Sequence, residues 1–521
     1  MFTVDFYRYF GNSKIDNEQE VMRLKITRYT TFFKIDLNKS DMKRELFYCR
    51  DLVNSLSTIN YHTEEKEPFG YTYDGDKIKV PRGLGEDWLK NKLGVEGKIH
   101  DGVVFPYDKQ KYFSINKKPF PEQMKVITLA LKHLMHGGTQ VILNMPTGRG
   151  KTFTAVAIAS QLGCNLLILV KTNTLLNQWA GPEGAFVKHT KLKQKYVLAM
   201  NGSKWFYQTC DDSNGDLGYK VFVTTHATLR SIAEQKGMRF IAEWCMHNKI
   251  GCKIFDEFDT EVDSMLRLDF STSVRYNIYL SATTFKNGMY DDMVFQRMIK
   301  DIPQYGKEFY TEKPNRIGYF YGYYTNPSRE DRGKCYNYKG QFVPNNHMAI
   351  AIKSEGYFDM LRHIITKHAM PIYNMDKGHK CVIMVGKIES CAIVKEWLLN
   401  NFKIKPNHIA EFHSEISKPE KEIALTKPFI VSITDSIGRG LDIERIKLTI
   451  DMETYAGGSI FKQATGRNGR VGGEEGIFIK AIDKSFANTL KYYFRLKRLF
   501  DEEFKDYHEF NLKWEEKENG E

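Results

Sequence analysis

The sequence predicts an α/β fold in which two parallel sheets, each flanked by helices, follow one another along the chain. Short, unbroken runs of β-branched and leucine residues alternate with helical stretches, as in strands that are buried on both faces of a parallel sheet. Polar motifs follow several of these runs, at the strand ends where open α/β sheets bind ligands. The series occurs twice, so two sheets in tandem are the simplest account.

The predicted strands fall into two groups. Those of the first sheet are QVILNM (140–145), NLLILV (165–170), KVFVTT (220–225), CKIFDE (252–257) and YNIYLSA (276–282). Those of the second sheet are KCVIMV (380–385), PFIVSIT (428–434), IKLTIDM (446–452) and GIFIKAI (476–482). The alternating segment RIGYFYGYY (316–324) is also predicted to be a core strand.

A chain of 521 residues is long enough for two to four domains. We divide it into residues 1–105, 106–300, 301–485 and 486–521. The first segment is predicted to be a small α+β accessory domain, because the turn signal YDGDK (73–77) separates two short alternating runs. In the last segment, apolar residues recur at steps of three and four from Tyr493 to Phe504, which predicts a helix packed on the second sheet before an acidic tail.

The charge balance, the cysteines and the apolar runs indicate which partners and which cellular setting the protein has. Lys and Arg number 76 against 64 Asp and Glu, which gives a net charge of +12 and favours a polyanionic partner, although a merely basic enzyme has the same balance. The eight cysteines form no CxxC pair, so we expect reduced core thiols in an intracellular protein and no zinc site. The apolar runs are shorter than a membrane span and the start lacks a signal-peptide pattern, so we expect neither a membrane nor a secreted protein.

The segment NMPTGRGKTFTA (144–155) lies between a predicted strand and a predicted helix, where a glycine-rich loop can hold phosphates. Its glycines let backbone N–H groups turn inward, Lys151 offers a charge to the β and γ phosphates, and Thr152 offers a hydroxyl to Mg²⁺. We therefore expect a nucleoside triphosphate site formed by Pro146, Thr147, Gly148, Arg149, Gly150, Lys151 and Thr152.

Two further features fit an ATPase site. In IFDEFD (254–259), Asp256 is placed to hold Mg²⁺ through water and the adjacent Glu257 to polarise the attacking water as general base. Gln123 stands 28 residues before Lys151 at the start of an amphipathic helix, and its amide can match the N6 and N7 edge of adenine. Taken alone, the acidic cluster would be interpreted as part of a solvated loop, and Gln123 would be interpreted as a residue on a helix surface.

Six motifs in order carry a resemblance to the superfamily 2 helicases. They are the glutamine of PEQ, PTGRGKT, DEFD, LSATTF (280–285), TDSIGRGLD (434–442) and QATGRNGR (463–470). Within that superfamily, the segments 167–179 and 223–229 are similar to those of UvsW-like phage branch-migration helicases and of the XPB-like group. The usual family pattern has proline where Lys171 stands.

The resemblance implies two RecA-like lobes, an ATP-binding domain (106–300) and a helicase C-terminal domain (301–485), with ATP in the cleft between them. The second lobe would contribute Gly440, Asp442 and Gln463 to nucleotide binding, and Arg467 and Arg470 to catalysis. A guanidinium at the γ-phosphate accelerates phosphoryl transfer by roughly 10³–10⁵ in other enzymes. Ser281 and Thr283 would bond the Asp259 region and couple hydrolysis to motion, but two strand-terminal caps explain them equally well.

The resemblance also implies a groove that follows a nucleic-acid backbone without sequence preference. The matching positions are Lys171, Thr172, Asn173, Thr225, His226, Gly386, Lys387 and Thr434. Each of them singly fits a cap or loop residue as well. The basic insertion 326–342 is open to two interpretations, a DNA contact or a disordered surface loop. Residues 1–105 either engage duplex DNA beside the motor or form a structural cap on lobe one.

We therefore expect an ATP- and Mg²⁺-dependent DNA helicase or translocase that unwinds or branch-migrates forked or branched DNA in replication, recombination or repair. A phage-encoded, monomeric motor in the host cytoplasm fits this interpretation. The alternatives are a viral-type RNA helicase or transcript-release factor, and a non-hydrolysing protein whose nucleotide site only switches nucleic-acid binding.

Overall fold

Residues 25–101 form a small α+β module. Its elements are β1 (Lys25–Arg28), β2 (Phe32–Asp36), α1 (Arg50–Ser55), β3 (Ser57–Ile59), β4 (Lys66–Pro68), β5 (Thr72–Tyr73), β6 (Lys77–Pro81), α2 (Glu86–Leu93) and β7 (His100–Asp101). Five strands form one sheet in the order β5-β6-β2-β1-β7, and β3 pairs with β4. The turn predicted at 73–77 joins the antiparallel strands β5 and β6, which confirms a hairpin there.

The coordinates come from a computed structural model. The residues it describes are 24–37, 49–59, 66–95, 98–109, 113–146, 148–210, 218–282, 290–310, 313, 315–437, 443, 445–455, 457–466 and 474–511.

Lobe one follows as a seven-stranded parallel sheet with helices on both faces. Its strands are β8 (Gln140–Asn144), β9 (Asn165–Val170), β10 (Val197–Met200), β11 (Val221–Thr225), β12 (Ile250–Asp256), β13 (Tyr276–Ser281) and β14 (Gln304–Gly306). Its helices are α3 (Pro121–Met135), α4 (Lys151–Leu162), α5 (Asn173–Ala180), α6 (Ala185–His189), α7 (Lys204–Gln208), α8 (His226–His247), α9 (Val262–Asp269) and α10 (Tyr290–Met298). The central strands are apolar throughout because both faces are covered.

Lobe two is a second seven-stranded parallel sheet. Its strands are β15 (Arg316–Tyr323), β16 (Lys380–Met384), β17 (Ile409–Phe412), β18 (Phe429–Ser432), β19 (Ile446–Asp451), β20 (Gly476–Asp483) and β21 (Asp506–Asn511). Its helices are α11 (Arg329–Lys334), α12 (Pro344–Ala351), α13 (Glu355–Ile364), α14 (Met370–Met375), α15 (Ile388–Asn401), α16 (Lys418–Ala424), α17 (Thr434–Ile437), α18 (Gly458–Thr465), α19 (Ala487–Lys497) and α20 (Phe500–Glu503). A π-helical turn continues α13 into α14.

The two lobes share one topology. The strand order is β10-β11-β9-β12-β13-β8-β14 in lobe one and β17-β18-β16-β19-β20-β15-β21 in lobe two. When the strands of each lobe are counted from its own first strand, both orders become 3-4-2-5-6-1-7. The prediction of two tandem RecA-like α/β domains is confirmed.

The structure differs from the predicted boundaries at two places. Strand β14 lies beyond residue 300 and still pairs with β8 of lobe one. Strand β21 lies inside 486–521, where the sequence predicts only a helix and a tail, and it pairs with β15. Phe500 and Phe504 are buried in the lobe-two core, but the helix predicted from Tyr493 to Phe504 is divided, because α19 ends at Lys497 and Phe504 follows α20.

The N-terminal module packs on the amino ends of the lobe-one strands. Thr139, just before β8, donates its hydroxyl to the carbonyl of Thr30 at 2.6 Å. Thr31 donates to the carbonyl of Asp269 at 2.9 Å, close to the start of β13. Apolar residues of the module and of lobe one form one continuous core. Of the two interpretations of residues 1–105, this geometry favours the structural cap, because the module lies opposite the strand ends that carry the motifs.

The cysteines and the helices bear on two other expectations. All eight cysteines are free thiols and seven are buried. Within the described ranges, no helix is both long enough and apolar enough to cross a membrane.

Candidate nucleotide site and the cleft between the lobes

The loop between β8 and α4 has the backbone of a phosphate cradle. Gly148 and Gly150 adopt φ angles of 74° and 77°, a left-handed conformation that favours glycine. Gly150 is the N-terminal cap residue of α4, a helix of 12 residues whose first N–H groups and dipole favour an anion. A Cβ atom at Gly150 would overlap the side-chain amide of Gln123, so the loop has no room for a larger residue there.

Gln123 is buried and holds the cradle in place. Its Nε2 donates to the carbonyl of Arg149 at 3.1 Å, and its Oε1 accepts from the N–H of Phe120 at 3.0 Å. The amide therefore caps its own helix α3 and fixes the cradle loop against that helix. This positioning role was not predicted from the sequence, and adenine recognition by Gln123 stays a prediction.

Lys151 and Asp256 lie close enough to interact. Lys151 donates from Nζ to the carbonyl of Met145 at 3.0 Å, which keeps the ammonium beside the loop. Asp256 ends β12, and its Oδ2 accepts from the indole N–H of Trp179 at 2.9 Å. Burial raises the pKa of Asp256, while the indole bond and the charge of Lys151 act in the opposite direction. Trp179 is a site residue that sequence reasoning missed.

Glu257 follows Asp256 in an uncommon conformation. Its φ of 52° is left-handed, which costs a non-glycine residue of order 1–3 kcal/mol and is concentrated at functional sites. The conformation ends β12 and begins a helical turn, in which the N–H of Thr260 donates to the Glu257 carbonyl at 2.9 Å. Ser281, at the end of β13, is buried and accepts at its backbone carbonyl from the N–H of Met145 at 3.2 Å. The coupling role predicted for Ser281 stays a prediction.

These residues fit Mg²⁺ and a nucleoside triphosphate. The helix N-terminus and Lys151 suit phosphates, Thr152 is the second residue of α4, and Asp256 is a single carboxylate close to Lys151. Mg²⁺ in such sites is held by one or two carboxylates, waters and the phosphates, not by an all-protein cage. In keeping with this, no group of three or more His, Cys, Asp or Glu in the described part of the chain has the geometry to hold a metal.

The second lobe reaches the cradle across the cleft. A Cβ atom built on Gly148 would be 3.7 Å from the carbonyl oxygen of Gly466, the residue that follows α18 in the QATG motif. Arg316 of β15 donates to the carbonyl of Thr465 and pairs with Glu503. Burial lowers the pKa of Arg316 to about 10, and the charge of Arg149 from lobe one adds to the lowering.

Several predicted site residues cannot be placed. Those outside the described residues are Thr147, Thr283, Gly440, Asp442, Arg467 and Arg470, and the side chain of Gln463 is likewise not described. Their roles stay predictions.

The predicted nucleic-acid positions all follow strands at the carboxyl edges of the two sheets. Lys171, Thr172 and Asn173 follow β9, Thr225 and His226 lie at the end of β11, Gly386 and Lys387 follow β16, and Thr434 follows β18. In each sheet the two strands concerned are neighbours. Asn173 is exposed, Lys171 and Thr172 are half-buried, and the Thr172 hydroxyl caps α5 by accepting from the N–H of Leu175.

Three of these side chains are used inside the protein. Thr225 is buried and caps α8. His226 is buried beside the Ser264 hydroxyl, 3.0 Å from its Nδ1, and burial lowers its pKa to about 4. Thr434 is buried, its hydroxyl donates to the Met384 thioether at 3.4 Å, and its backbone N–H donates to Glu453 at 2.6 Å. A phosphate contact by any of these side chains would require its loop to open.

Lobe two carries a buried polar cluster that the sequence did not reveal. Lys480 of β20 pairs with Asp451 at 2.9 Å, and Tyr455 donates its hydroxyl to the same carboxylate. Burial and the neighbouring charge of Asp451 raise the pKa of Glu453 to about 7. The sequence pattern of 446–452 predicts only a strand. Because Lys480 lies on another strand, its spacing from Asp451 in the sequence does not reveal that the two residues pair.

Comparisons with known proteins agree with the division of the chain into two lobes. Residues 116–285 match the family model "Type III restriction enzyme, res subunit", and residues 357–472 match "Helicase conserved C-terminal domain". No curated protein sequence matches the chain.

Similar solved structures include the DEAD-box helicase Mss116 bound to ssRNA and UDP-BeF, with 15% identity, a TM-score of 0.49, and coverage of 76% of this chain and 76% of that chain. Dbp5 of S. cerevisiae bound to RNA and ADP BeF3 has 13% identity, a TM-score of 0.49, and coverage of 75% of this chain and 94% of that chain. Likeness at this level says nothing about the substrate. The two family matches, on two sheets of one topology, support a superfamily 2 helicase with ATP-dependent activity.

Proposed function

We propose that this chain is a phage-encoded, monomeric DNA helicase or translocase that uses Mg²⁺ and ATP to unwind or branch-migrate forked or branched DNA. The choice of DNA over RNA, the branched substrate and the phage origin rest on the resemblance of segments 167–179 and 223–229 to UvsW-like helicases. Host cytoplasm is the compartment that follows from this origin.

The observation that carries the motor proposal is the meeting of two lobes at one cradle. Lobe one brings Lys151 and Asp256 close together at the carboxyl edge of its sheet, where β8 and β12 end on either side of β13. The carbonyl of Gly466 from lobe two lies within van der Waals reach of a Cβ at Gly148. Because the segment that follows Gly466 carries two arginines, closure of the cleft would bring positive charge to the γ-phosphate. Such an arrangement links hydrolysis to relative motion of the lobes.

Each residue of lobe one has a distinct part in this proposal. The N–H groups at the start of α4 and the Lys151 ammonium bind the phosphates. Asp256 would hold Mg²⁺, whose charge would offset that of the phosphates, and Trp179 keeps that carboxylate in place. Glu257 accepts a proton from the attacking water. Its left-handed backbone conformation fixes the direction in which the side chain leaves the main chain.

Steady-state ATP hydrolysis, with and without single-stranded DNA, tests the enzyme assignment. We expect DNA to stimulate hydrolysis and Glu257→Gln to lower kcat by about 10²–10⁴, the usual contribution of a general base. Glu243→Gln is the matched control, because Glu243 pairs with Arg239 on the surface of α8. Unchanged turnover in Glu257→Gln would show that another group is the base. Binding of DNA without any hydrolysis would instead support a nucleotide-controlled switch.

An unwinding assay tests the substrate. Forks, four-way junctions, duplexes with 5′ or 3′ tails and RNA/DNA hybrids are compared with ATP and with a non-hydrolysable analogue. We expect branched DNA to be processed fastest and only with ATP. Equal rates on RNA and DNA duplexes, with no preference for a branch, would contradict the DNA branch-migration proposal and favour an RNA helicase.

A further inference from the structure

The insertion 326–342 ends in a hairpin with a rigid turn. We call residues 336–342 the tip hairpin. Tyr336 and Phe342 form an antiparallel bridge, with ring centroids 5.6 Å apart. Asn337 closes the turn twice, because its N–H donates to the Gln341 carbonyl at 2.9 Å and its Oδ1 accepts from the N–H groups of Lys339 and Gln341. The insertion is therefore folded, and the disordered-loop interpretation is not supported.

The base of the tip hairpin is fixed to the body of lobe two. The Tyr336 hydroxyl donates to the Asn488 side chain at 3.2 Å on α19. Arg332 donates to the Ser485 carbonyl at 2.7 Å just after β20. The Phe342 ring packs against Phe486 at 5.7 Å. The three partners all lie in residues 485–488, at the start of α19, so the hairpin base and the helix before it are held at this one place.

Tyr338 stands at the turn of the tip hairpin, and its side chain is 92% exposed. The Lys339 ammonium lies 5.8 Å from the centre of its ring. Four basic residues oppose two acidic ones in the insertion: Arg329, Arg332, Lys334 and Lys339 against Glu330 and Asp331. Lys334 pairs with both Glu330 and Asp331, so Lys339 is the cation placed beside the ring. A rigid, exposed aromatic ring beside a cation is suited to stacking on a nucleic-acid base while the cation meets a phosphate.

The tip hairpin lies near the carboxyl edge of the lobe-two sheet. It leads directly into α12, where His347 pairs with Asp483 at 2.8 Å and lies 3.0 Å from the Thr454 hydroxyl. The next residue, Met348, lies so close to Gly386 that a Cβ there would collide with it. The hairpin base is thus one short helix away from the Gly386 and Lys387 loop, which the resemblance to helicases predicts to follow the nucleic-acid backbone.

We propose that the tip hairpin is a wedge on which Tyr338 stacks against the last base pair of a DNA duplex as its strands separate. This inference rests on the proposed helicase function. The ring replaces part of the stacking energy that a base loses when its pair opens. Fixed anchors at the hairpin base are needed for this, because a mobile ring would follow the duplex without opening it.

The test compares wild-type protein, Tyr338→Ala, Tyr338→Trp and the control Phe494→Ala. Phe494 is a second exposed aromatic residue of lobe two, 60% exposed on α19. We expect Tyr338→Ala to unwind forked DNA about tenfold more slowly, the order of one lost base-stacking contact. Its hydrolysis of ATP on single-stranded DNA should stay within about twofold of wild type. Tyr338→Trp and Phe494→Ala should unwind at the wild-type rate.

A photo-crosslink tests the contact itself. A fork with 5-iododeoxyuridine at the junction is irradiated with each variant in the presence of a non-hydrolysable ATP analogue. We expect a crosslink that maps to Tyr338 in the wild type and is lost in Tyr338→Ala. A crosslink that persists in Tyr338→Ala would overturn the proposal.

The other outcomes are also decisive. Wild-type unwinding by Tyr338→Ala would overturn the wedge while leaving the helicase intact. Equal loss of DNA-stimulated hydrolysis and of unwinding in that variant would make Tyr338 a part of backbone binding or of the fold, and would overturn it too. A wild-type protein that hydrolyses ATP with no response to nucleic acid would overturn the proposed function, and the wedge with it.

Discussion

The two lobes have the same strand order but opposite chemistry at the end of their fifth strand. In lobe one, β12 ends at Asp256, which is held by a neutral indole and lies near the cradle lysine. In lobe two, β19 ends at Asp451, which is paired with Lys480 from the neighbouring strand and with the hydroxyl of Tyr455. One carboxylate is left able to orient a metal, and the other is neutralised from within.

The segments that follow the first strand of each lobe, β8 and β15, also differ in their chemistry. After β8 the chain turns through two left-handed glycines into α4 and forms the cradle. After β15 the chain reaches Thr325, whose hydroxyl donates to Asp483 at 2.6 Å, and the same carboxylate pairs with His347. The topology alone therefore does not make a nucleotide site. Side chains at two strand ends decide which lobe binds the nucleotide and which one closes over it.

The largest expected effect comes from breaking the buried pair of lobe two. Lys480 and Asp451 are 4% and 0% exposed, so Asp451→Asn leaves a buried ammonium without its counter-charge. We expect the free energy of unfolding of lobe two to fall by about 3–5 kcal/mol, measured by urea denaturation. The double variant Asp451→Leu with Lys480→Met should recover most of the loss, because it removes both charges. Equal destabilisation of both variants would show that packing, not charge, is responsible.

The matching change in lobe one acts on activity instead. Asp256→Asn keeps an oxygen that accepts from Trp179 but loses the negative charge. We expect kcat for ATP hydrolysis to fall by about 10²–10³, the order seen when one preorganised electrostatic group is removed. The urea midpoint should change little. If Asp451→Asn, corrected for its folded fraction, lowered kcat as much, the contrast between the lobes would be wrong.

A smaller effect separates the two glycines of the cradle. Gly148 and Gly150 both have left-handed backbones, but a Cβ at Gly150 also overlaps the Gln123 amide, whereas one at Gly148 meets only the Gly466 carbonyl at 3.7 Å. Gly150→Ala should weaken ATP binding more than Gly148→Ala. We expect backbone strain alone to lower the free energy of ATP binding by about 1–2 kcal/mol in each variant. The overlap with Gln123 should lower it further in Gly150→Ala only. Isothermal titration with a non-hydrolysable analogue measures the difference.

The last effect is of a different kind, a pH dependence confined to lobe two. The pKa of Glu453 is raised to about 7 in the folded protein from an ordinary value of 4.5. A carboxyl with a raised folded pKa binds its proton more tightly when folded, so its contribution to stability is complete below about pH 4.5 and is lost as the pH rises through 7. Glu453→Gln should therefore flatten the fall of the urea midpoint between pH 5 and pH 8. An unchanged slope would contradict the raised pKa.

Most of the fold of the two lobes could be predicted from the sequence, and the lobe strands that were missed have one property in common. Strands β10, β14, β17 and β21 are the outer strands of the two sheets. Outer strands have a neighbour on one side only, so they are short or polar and lack the continuous apolar run that marks a buried strand. The other strands of the two lobes were predicted, the central ones from that run and β15 from its alternation.

The residues of the candidate site also fall into those that the sequence could predict and those that it could not. Cradle chemistry is local, because the glycines and Lys151 lie within a few residues of one another and could be found by spacing. The partners that hold the site are distant: Trp179 is 77 residues from Asp256, and Gln123 is 26 residues from Arg149. Likewise, burial of Thr225, His226 and Thr434 depends on tertiary packing and could not be inferred from their position after a strand.

The central claim is that one lobe holds the nucleotide and the other completes its hydrolysis. Single-turnover ATP hydrolysis on single-stranded DNA by wild type, Arg467→Ala and Arg470→Ala, with nucleotide affinity and urea midpoint measured on the same samples, tests it most directly. We predict that at least one variant loses hydrolysis by about 10³ or more while it still folds and binds nucleotide. Wild-type hydrolysis in both variants, and in the double variant, would contradict it.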